Sequence, residues 1–117
     1  MREKLNLLLE KHCVTIKRNV ELIGEHLDRA QQAEEGPAQA LSDAVALAHQ
    51  LKGSSGTAGF HDICVAATAL NDNLSAITRD DAPLRQDLSR AVELFETLSL
   101  ASRAASPQSS ALYLVAS

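Results

Sequence analysis

Apolar residues recur at alternating intervals of three and four along most of this chain, which is the spacing of amphipathic helices. In the first part of the chain, from Glu3 to Arg29, the repeat consists of Leu5, Leu9, Cys13, Ile16, Val20, Ile23 and Leu27. Charged residues occupy the other faces, as expected for a long helix that packs nearly antiparallel to its neighbours in a bundle. Nowhere does the chain alternate apolar and polar residues, as a strand would, over more than a few positions.

Three further helices are predicted, each bounded by residues that begin or end helices. The second runs from Pro37 to about Ala58, because proline suits the first helical turn and Gly59 suits the turn beyond the end. The third runs from about His61 to Thr78, with the apolar stripe Ile63, Ala67, Leu70, Leu74 and Ile77. The fourth runs from about Pro83 to Arg103, with the stripe Leu84, Leu88, Ala91, Phe95, Leu98 and Ser102. The stretch Asp80-Asp81-Ala82-Pro83 separates these two helices, with an aspartate at the capping position and a proline just inside the new helix.

The predicted fold class is therefore all-α, an antiparallel up-and-down four-helix bundle over residues 1–105. A chain of 117 residues suits one domain with one core. Residues 106–117 form a short tail, in which Ser106–Ser110 is predicted to be a loop and Ala111–Val115 is a short apolar segment. The pattern leaves open whether this tail docks on the bundle or is disordered.

Composition and charge narrow the range of functions. The net charge is −4 and no cluster of Lys or Arg is present, which argues against nucleic acid as a partner. No apolar run approaches the roughly 18 to 20 residues that span a bilayer, and Glu10 and Lys11 interrupt the first apolar run, so we expect no signal peptide. We expect a cytoplasmic protein without membrane insertion, in which the two distant cysteines stay reduced.

Candidate chemistry lies on the second helix. The core-facing residues of this helix are Leu41, Ala44, Ala48, Leu51 and Ser55. At about 100° per residue, a different face, directed away from the core, carries Val45, His49, Lys52, Gly53 and Gly56. Each glycine inside a helix costs about 1 kcal/mol relative to alanine. Two of them beside an exposed histidine therefore suggest that another molecule approaches this face closely.

The pattern His-x-x-Lys-Gly at residues 49–53, followed by small residues, resembles the motif of histidine-containing phosphotransfer (Hpt) domains of two-component phosphorelays. The resemblance implies a four-helix bundle in which His49 is the phosphoacceptor, Lys52 lies near the phosphate and Gly53 leaves steric access for a receiver domain. We expect Val45 and Gly56, on the same outward face, to belong to the partner surface. One departure is Asn71, which follows Leu70 where the third helix of the family often has an acidic residue.

The resemblance also implies a partner. This partner would be the receiver domain of a hybrid histidine kinase or of a response regulator, whose phospho-Asp exchanges the phosphoryl group with His49. No metal-binding group of carboxylates accompanies His49 in the sequence, so we expect Mg²⁺ to be supplied by the receiver and no cofactor to belong to this chain. The glycines at 53, 56 and 59 do not match a nucleotide-binding loop. The expected protein is a phosphocarrier and not an autonomous kinase.

Two alternatives remain open from the sequence. In the first, the protein is a helical adaptor that binds other proteins while His49 does no chemistry. In the second, less favoured, the bundle binds a metal ion through some of the residues His12, Cys13, His26, His61 and Cys64. Against the metal site, the cysteines fit the core stripes or their edges, and the chain has no Cys-x-x-Cys pair.

Overall fold

A computed structural model describes residues 2–32, 38–79 and 85–116. Its helices are α1 (Arg2–Gln32), α2 (Ala38–Thr57), α3 (His61–Thr78), α4 (Arg85–Arg103), a 3₁₀ turn (Pro107–Ser109) and the short α5 (Ala111–Ala116). Each long helix packs against the next in sequence, and α4 packs back against α1, which closes an up-and-down bundle. No strand occurs in these three ranges, so the predicted all-α bundle is confirmed.

The core is formed by the predicted apolar stripes. Their buried members are Leu9, Cys13, Ile16, Val20, Ile23 and Leu27 from α1, five residues of α2, five of α3, and Leu88, Ala91, Leu98 and Ser102 from α4. Leu5 and Phe95, which were predicted on the same stripes, are only half-buried and pack against the edge of the core. Leu84 lies outside the described residues. Most core residues are aliphatic, because the chain has few aromatic residues.

Helix α1 runs to Gln32, within the stretch Gln31–Gly36 across which the sequence predicts that the helix fades; residues 33–36 of that stretch lie outside the described ones. Ala30 is 3% exposed, so the apolar stripe continues one step beyond Leu27 and holds the last turn against the bundle. The bounds of α3 agree with the prediction. The predicted signals at Pro37 and at Asp80–Pro83 lie outside the described residues.

The end of α2 is fixed by its backbone. Gly59 has φ +82°, the left-handed conformation that glycine adopts without steric cost. The N–H of Phe60 donates to the carbonyl of Ser55 at 2.8 Å, and the N–H of Gly59 donates to that of Gly56 at 3.2 Å. These two bonds form a Schellman motif, and Phe60 buries its ring beyond it. The prediction that Gly59 ends the helix is confirmed.

The C-terminal segment docks on this same turn. The Ser110 hydroxyl donates to the carbonyl of Ala58 at 2.6 Å, and the N–H of Ala111 donates to the carbonyl of Gly59 at 2.9 Å. Ser110 is fully buried, and both the 3₁₀ turn and α5 pack against α1. Of the two alternatives that the sequence left open for the tail, the structure therefore supports docking, and the predicted loop is largely a 3₁₀ turn.

Candidate functional site

Helix α2 presents His49 to solvent. The five core-facing residues of α2, namely Leu41, Ala44, Ala48, Leu51 and Ser55, are all 0% exposed. His49 follows Ala48 by about 100° around the helix, so its imidazole lies outside the core and is exposed. The helix is thus held rigidly from one side while the imidazole is accessible from the other. This is the orientation that the apolar pattern predicted.

Lys52 lies one turn beyond His49 and is half-buried, so it is less outward than predicted. Its carbonyl accepts hydrogen bonds from the Cys64 thiol at 3.5 Å and from the Ser55 hydroxyl at 3.4 Å, which fixes the backbone from which its side chain extends. A lysine can cover apolar surface with its methylene groups while its ammonium stays in water. The ammonium of Lys52 can therefore reach water near His49 and supply positive charge there, although part of the side chain is buried.

The two glycines of this face have different structural explanations. A Cβ added at Gly53 would meet no atom of another described element within 4 Å, so nothing inside the protein requires a glycine there. A Cβ added at Gly56 would lie 3.3 Å from the Cys64 Sγ, so the packing of α3 against α2 already explains that glycine. Of the two glycines, Gly53 is the one without a described neighbour that explains it, and the assignment of Gly56 to the partner surface stays a prediction.

Val45 also departs from its predicted orientation. It was assigned to the outward face together with His49, but it is half-buried and packs against the core. Val45 lies at the border between the core stripe and the exposed face. Because an apolar stripe is broad, helical spacing alone does not decide on which side of that border a residue falls. Any part that Val45 plays in partner binding is limited to the fraction of its side chain that remains exposed.

The cysteines and histidines do not form a metal site in the described ranges. Across residues 2–32, 38–79 and 85–116, no group of three or more His, Cys, Asp or Glu side chains is positioned to hold a metal ion. Cys13 and Cys64 are both free thiols. Burial raises the pKa of the Cys13 thiol above its usual value; Lys17 opposes this shift and Glu10 adds to it. The structure gives the metal-binding alternative no ligand set.

Asn71 lies on α3, directly after the buried Leu70. The Asn71 Oδ1 is buried and has no hydrogen-bond partner among the described residues. In the sequence, Asn71 departs from the family pattern, in which an acidic residue is common after this leucine, and no role was predicted for it. A buried amide oxygen without a partner is uncommon in native structures. Whether the Asn71 Oδ1 has a partner depends on how α3 packs against its neighbours, and no pattern in the sequence predicts that packing.

The sequence model of the Hpt domain family matches residues 16–106, well over half of the chain. The chain belongs to the Hpt domain family. Members of this family carry out histidine phosphotransfer in phosphorelays and interact with receiver domains. The match includes α2 with His49, and it excludes the first half of α1 and the docked C-terminal segment. Searches of curated proteins and of solved structures gave no match.

None of the helices within the described part of this Hpt domain combines the length and the apolar composition needed to cross a membrane.

Proposed function

We propose that this Hpt domain accepts and donates a phosphoryl group on His49, in exchange with the phospho-Asp of a receiver domain in a two-component phosphorelay. The observation that carries the proposal is the combination of an exposed imidazole with an open position at Gly53, on a helix whose opposite face is fully buried. Phosphoryl transfer needs close, in-line approach of the two reacting groups. An unobstructed helix face allows that approach.

The transfer step is a displacement at phosphorus. A neutral ring nitrogen of His49 supplies the electron pair for the new N–P bond, and the P–O bond to the aspartyl carboxylate breaks. The carboxylate leaves with that electron pair, and the ring then releases a proton to solvent to restore neutrality. The reverse sequence returns the phosphoryl group to a receiver. The protein is a carrier in this scheme, with phosphate entering and leaving at one atom.

The metal ion that accompanies such transfers belongs to the partner in this proposal. Among the described residues, no group of three or more Asp, Glu, His or Cys side chains is positioned to hold a metal ion, which supports the receiver as the source of Mg²⁺. A receiver that holds the ion in its own acidic pocket would dock over His49 with Gly53 beneath its edge. The phosphorelay assignment also carries the expectation that the protein works in the cytoplasm, together with its receiver.

The proposal is tested by mixing the purified protein with a radiolabelled phospho-receiver and following transfer of the label. We expect label on this protein that is lost in acid and kept in base, which distinguishes a phosphoramidate from a phosphoester. Several donor receivers should be tried, because the partner is unidentified. If a folded protein takes no label from any of them, the adaptor interpretation replaces this one.

Replacing Gly53 with leucine is expected to slow label transfer by about a hundredfold, because the side chain would extend into the space that the receiver must enter. Folding should not suffer, because leucine has a much higher helix propensity than glycine and a Cβ at position 53 would meet no described neighbour within 4 Å. Initial transfer rates at several receiver concentrations measure the effect, with Gly53→Ala as the control for helix propensity. An unchanged rate for Gly53→Leu would contradict the steric role.

Replacing Lys52 with alanine is expected to slow transfer by about ten- to a hundredfold without abolishing it. The ammonium would stabilise the charge that spreads over the phosphoryl oxygens in the transition state, whereas the nucleophile on His49 is unchanged. Transfer rates at low and high salt measure the effect, and the loss should be smaller at high salt because salt screens exposed charges. Lys52→Arg keeps the charge and serves as the control. Equal rates for the alanine variant and the wild type would remove Lys52 from the site.

A further inference from the structure

The solvent-facing side of α1 carries a regular row of exposed residues. They are spaced alternately three and four apart, which keeps them on one side of the helix. From Leu7 onward, each member is followed two positions later, about 200° around the helix, by a buried residue, so the row lies opposite the core. We call this row the outer stripe; it consists of Lys4, Leu7, Lys11, Val14, Arg18, Glu21, Glu25 and Asp28.

Charge reverses along the outer stripe. Its three cations all precede its three carboxylates. The two apolar members, Leu7 and Val14, lie between the cations and are 58% and 69% exposed. They line a shallow recess on either side of Lys11. The outer stripe therefore has a basic half with two exposed apolar side chains, and a separate acidic half.

The charge reversal discriminates between possible partners of this face. An anionic membrane surface is negative throughout, so it would attract the basic half of the outer stripe and repel the acidic half. A second copy in the parallel orientation would place equivalent residues side by side, Lys11 against Lys11 and Glu21 against Glu21. In the antiparallel orientation, the basic half of each α1 faces the acidic half of the other. Of these three arrangements, only the antiparallel pair is complementary along the whole stripe.

One antiparallel register pairs all members of the outer stripe. In a pair related by a two-fold axis, each contact between two different residues forms twice. An axis level with Ile16 places Lys4 of one copy opposite Asp28 of the other, and Lys11 opposite Glu21. The paired helices overlap over about 36 Å, at 1.5 Å per residue. This register therefore gives two kinds of ion pair, each formed twice.

The apolar members fit the same register. Leu7 faces Glu25 and Val14 faces Arg18, so the methylene groups of the longer side chains can cover the apolar ones while their charged ends reach water. Within its own helix, Arg18 lies 3.8 Å from the Glu21 carboxylate, with side-chain exposures of 65% and 70%. An ion pair this exposed is weak, so both side chains remain free to adjust at an interface.

We propose that two copies of this protein associate side by side through the outer stripe, with their α1 helices antiparallel and the two-fold axis level with Ile16. The inference does not depend on phosphotransfer by His49. The members of the stripe that precede residue 16 lie outside the match to the Hpt family model. The basic half of this surface therefore belongs largely to this chain and not to the family pattern.

Pairing through α1 leaves His49 accessible. His49 lies seven residues, about two turns, before Gly56, so the two residues share one side of α2. A Cβ at Gly56 would lie 3.3 Å from the Cys64 Sγ, which identifies this side as the one next to α3. Helix α1 contacts α2 from another side in the closed bundle. The dimer therefore exposes both imidazoles.

The first test is sedimentation equilibrium of the wild type over a range of concentrations. With two apolar side chains per copy and exposed ion pairs, we expect a weak dimer, with Kd about 10–100 µM in low salt. Raising the salt from about 0.02 M to about 0.5 M should weaken it at least about tenfold, because salt screens exposed charges. A wild type that stays monomeric in low salt overturns the proposal. Binding of that monomer to vesicles of phosphatidylcholine and phosphatidylserine, lost in Lys11→Glu, would assign the stripe to a membrane instead.

Reversing one charge of an ion pair tests the interface. Lys11→Glu would bring like charges together twice in each dimer, and we expect it to weaken association at least about tenfold, as should Glu21→Lys. Lys17→Glu is the matched control, because it makes the same charge change on the same helix at an exposed residue about 100° from Arg18 and off the outer stripe. If Lys11→Glu associates like the wild type, or no more weakly than Lys17→Glu, the interface is overturned.

Mixing the two charge-reversed variants tests the orientation. In a heterodimer of Lys11→Glu with Glu21→Lys, the two substituted residues face each other and so do the two native ones, so both ion pairs are attractive again. We expect the equimolar mixture to associate about as strongly as the wild type, although neither variant does so alone. Recovery would also show that both variants are folded. A mixture that stays monomeric overturns the antiparallel register.

Discussion

Replacing His49 with glutamine is expected to abolish phosphoryl uptake while the fold stays intact. Glutamine has no ring nitrogen that can form the N–P bond, so the reaction loses its nucleophile, and we expect at least about a thousandfold loss. The imidazole is exposed, so the substitution creates no cavity in the core. Changes at exposed positions usually alter the free energy of unfolding by no more than about 0.5 kcal/mol, and glutamine favours helix slightly more than histidine does.

The measurement is label transfer from a phospho-receiver, accompanied by circular dichroism and urea unfolding of the same samples. His61→Gln is the matched control, because His61 is another exposed histidine, at the beginning of α3 and outside the motif. Full uptake by His61→Gln together with none by His49→Gln would assign the phosphoacceptor. Label retained on His49→Gln would locate the acceptor elsewhere in the chain. Partner binding that survives unchanged, in a protein that never accepts label, would favour an adaptor.

The orientation of α2 could be predicted from the sequence because one strong physical rule decides it. Five small or aliphatic residues recur at helical spacing, and burying all of them leaves only one side of the helix for His49. The same rule accounts for the end of α1, where the buried Ala30 continues the apolar stripe one step beyond Leu27. Residues at the border of a stripe are harder to assign, as Val45 and Lys52 illustrate.

Contacts between elements could not be predicted in the same way. Gly56 was assigned to the partner surface, and that assignment stays a prediction; that a Cβ at this position would also lie 3.3 Å from the Cys64 thiol of α3 could not be predicted. The contact between Gly56 and Cys64 depends on the distance and register between α2 and α3, and neither quantity can be predicted from the periodicity of one helix. The docking of Ser110 on the turn after α2 joins residues that are far apart in the sequence, and the unpartnered Asn71 Oδ1 is likewise a product of packing.

The turn at Gly59 gives the second large prediction, which concerns stability. Gly59→Ala is expected to lower the free energy of unfolding by about 2–4 kcal/mol, from two causes that add. An L-residue pays about 1–2 kcal/mol at φ +82°. The new Cβ would also lie 2.7 Å from the Ser110 Oγ and 3.0 and 3.1 Å from the backbone nitrogens of Leu112 and Ala111. Backbone atoms cannot move aside cheaply, so the docked segment must shift.

Gly53→Ala is the matched control, and its effect has the opposite sign. Gly53 lies inside the helix that ends at this turn, with open space around its Cβ position, so alanine should raise the free energy of unfolding by up to about 1 kcal/mol. Urea unfolding of the two variants measures both effects. A loss of only about 1–2 kcal/mol in Gly59→Ala would mean that the C-terminal segment does not dock at this turn in solution, and no loss at all would contradict the left-handed backbone of Gly59 as well.

Combining Gly59→Ala with Ser110→Ala separates the two causes. Ser110→Ala alone removes the 2.6 Å hydrogen bond to the Ala58 carbonyl and should be destabilising. In the Gly59→Ala variant, the new methyl group has already displaced the Ser110 hydroxyl and weakened its hydrogen bond. Ser110→Ala therefore costs less in that variant than in the wild type, and it also relieves the closest clash. The double variant should therefore be more stable than the sum of the single effects predicts, by at least about 1 kcal/mol. Strict additivity would assign the cost of Gly59→Ala to the backbone conformation of the turn and to the contacts with the backbone nitrogens of Leu112 and Ala111, and none of it to the Ser110 hydroxyl.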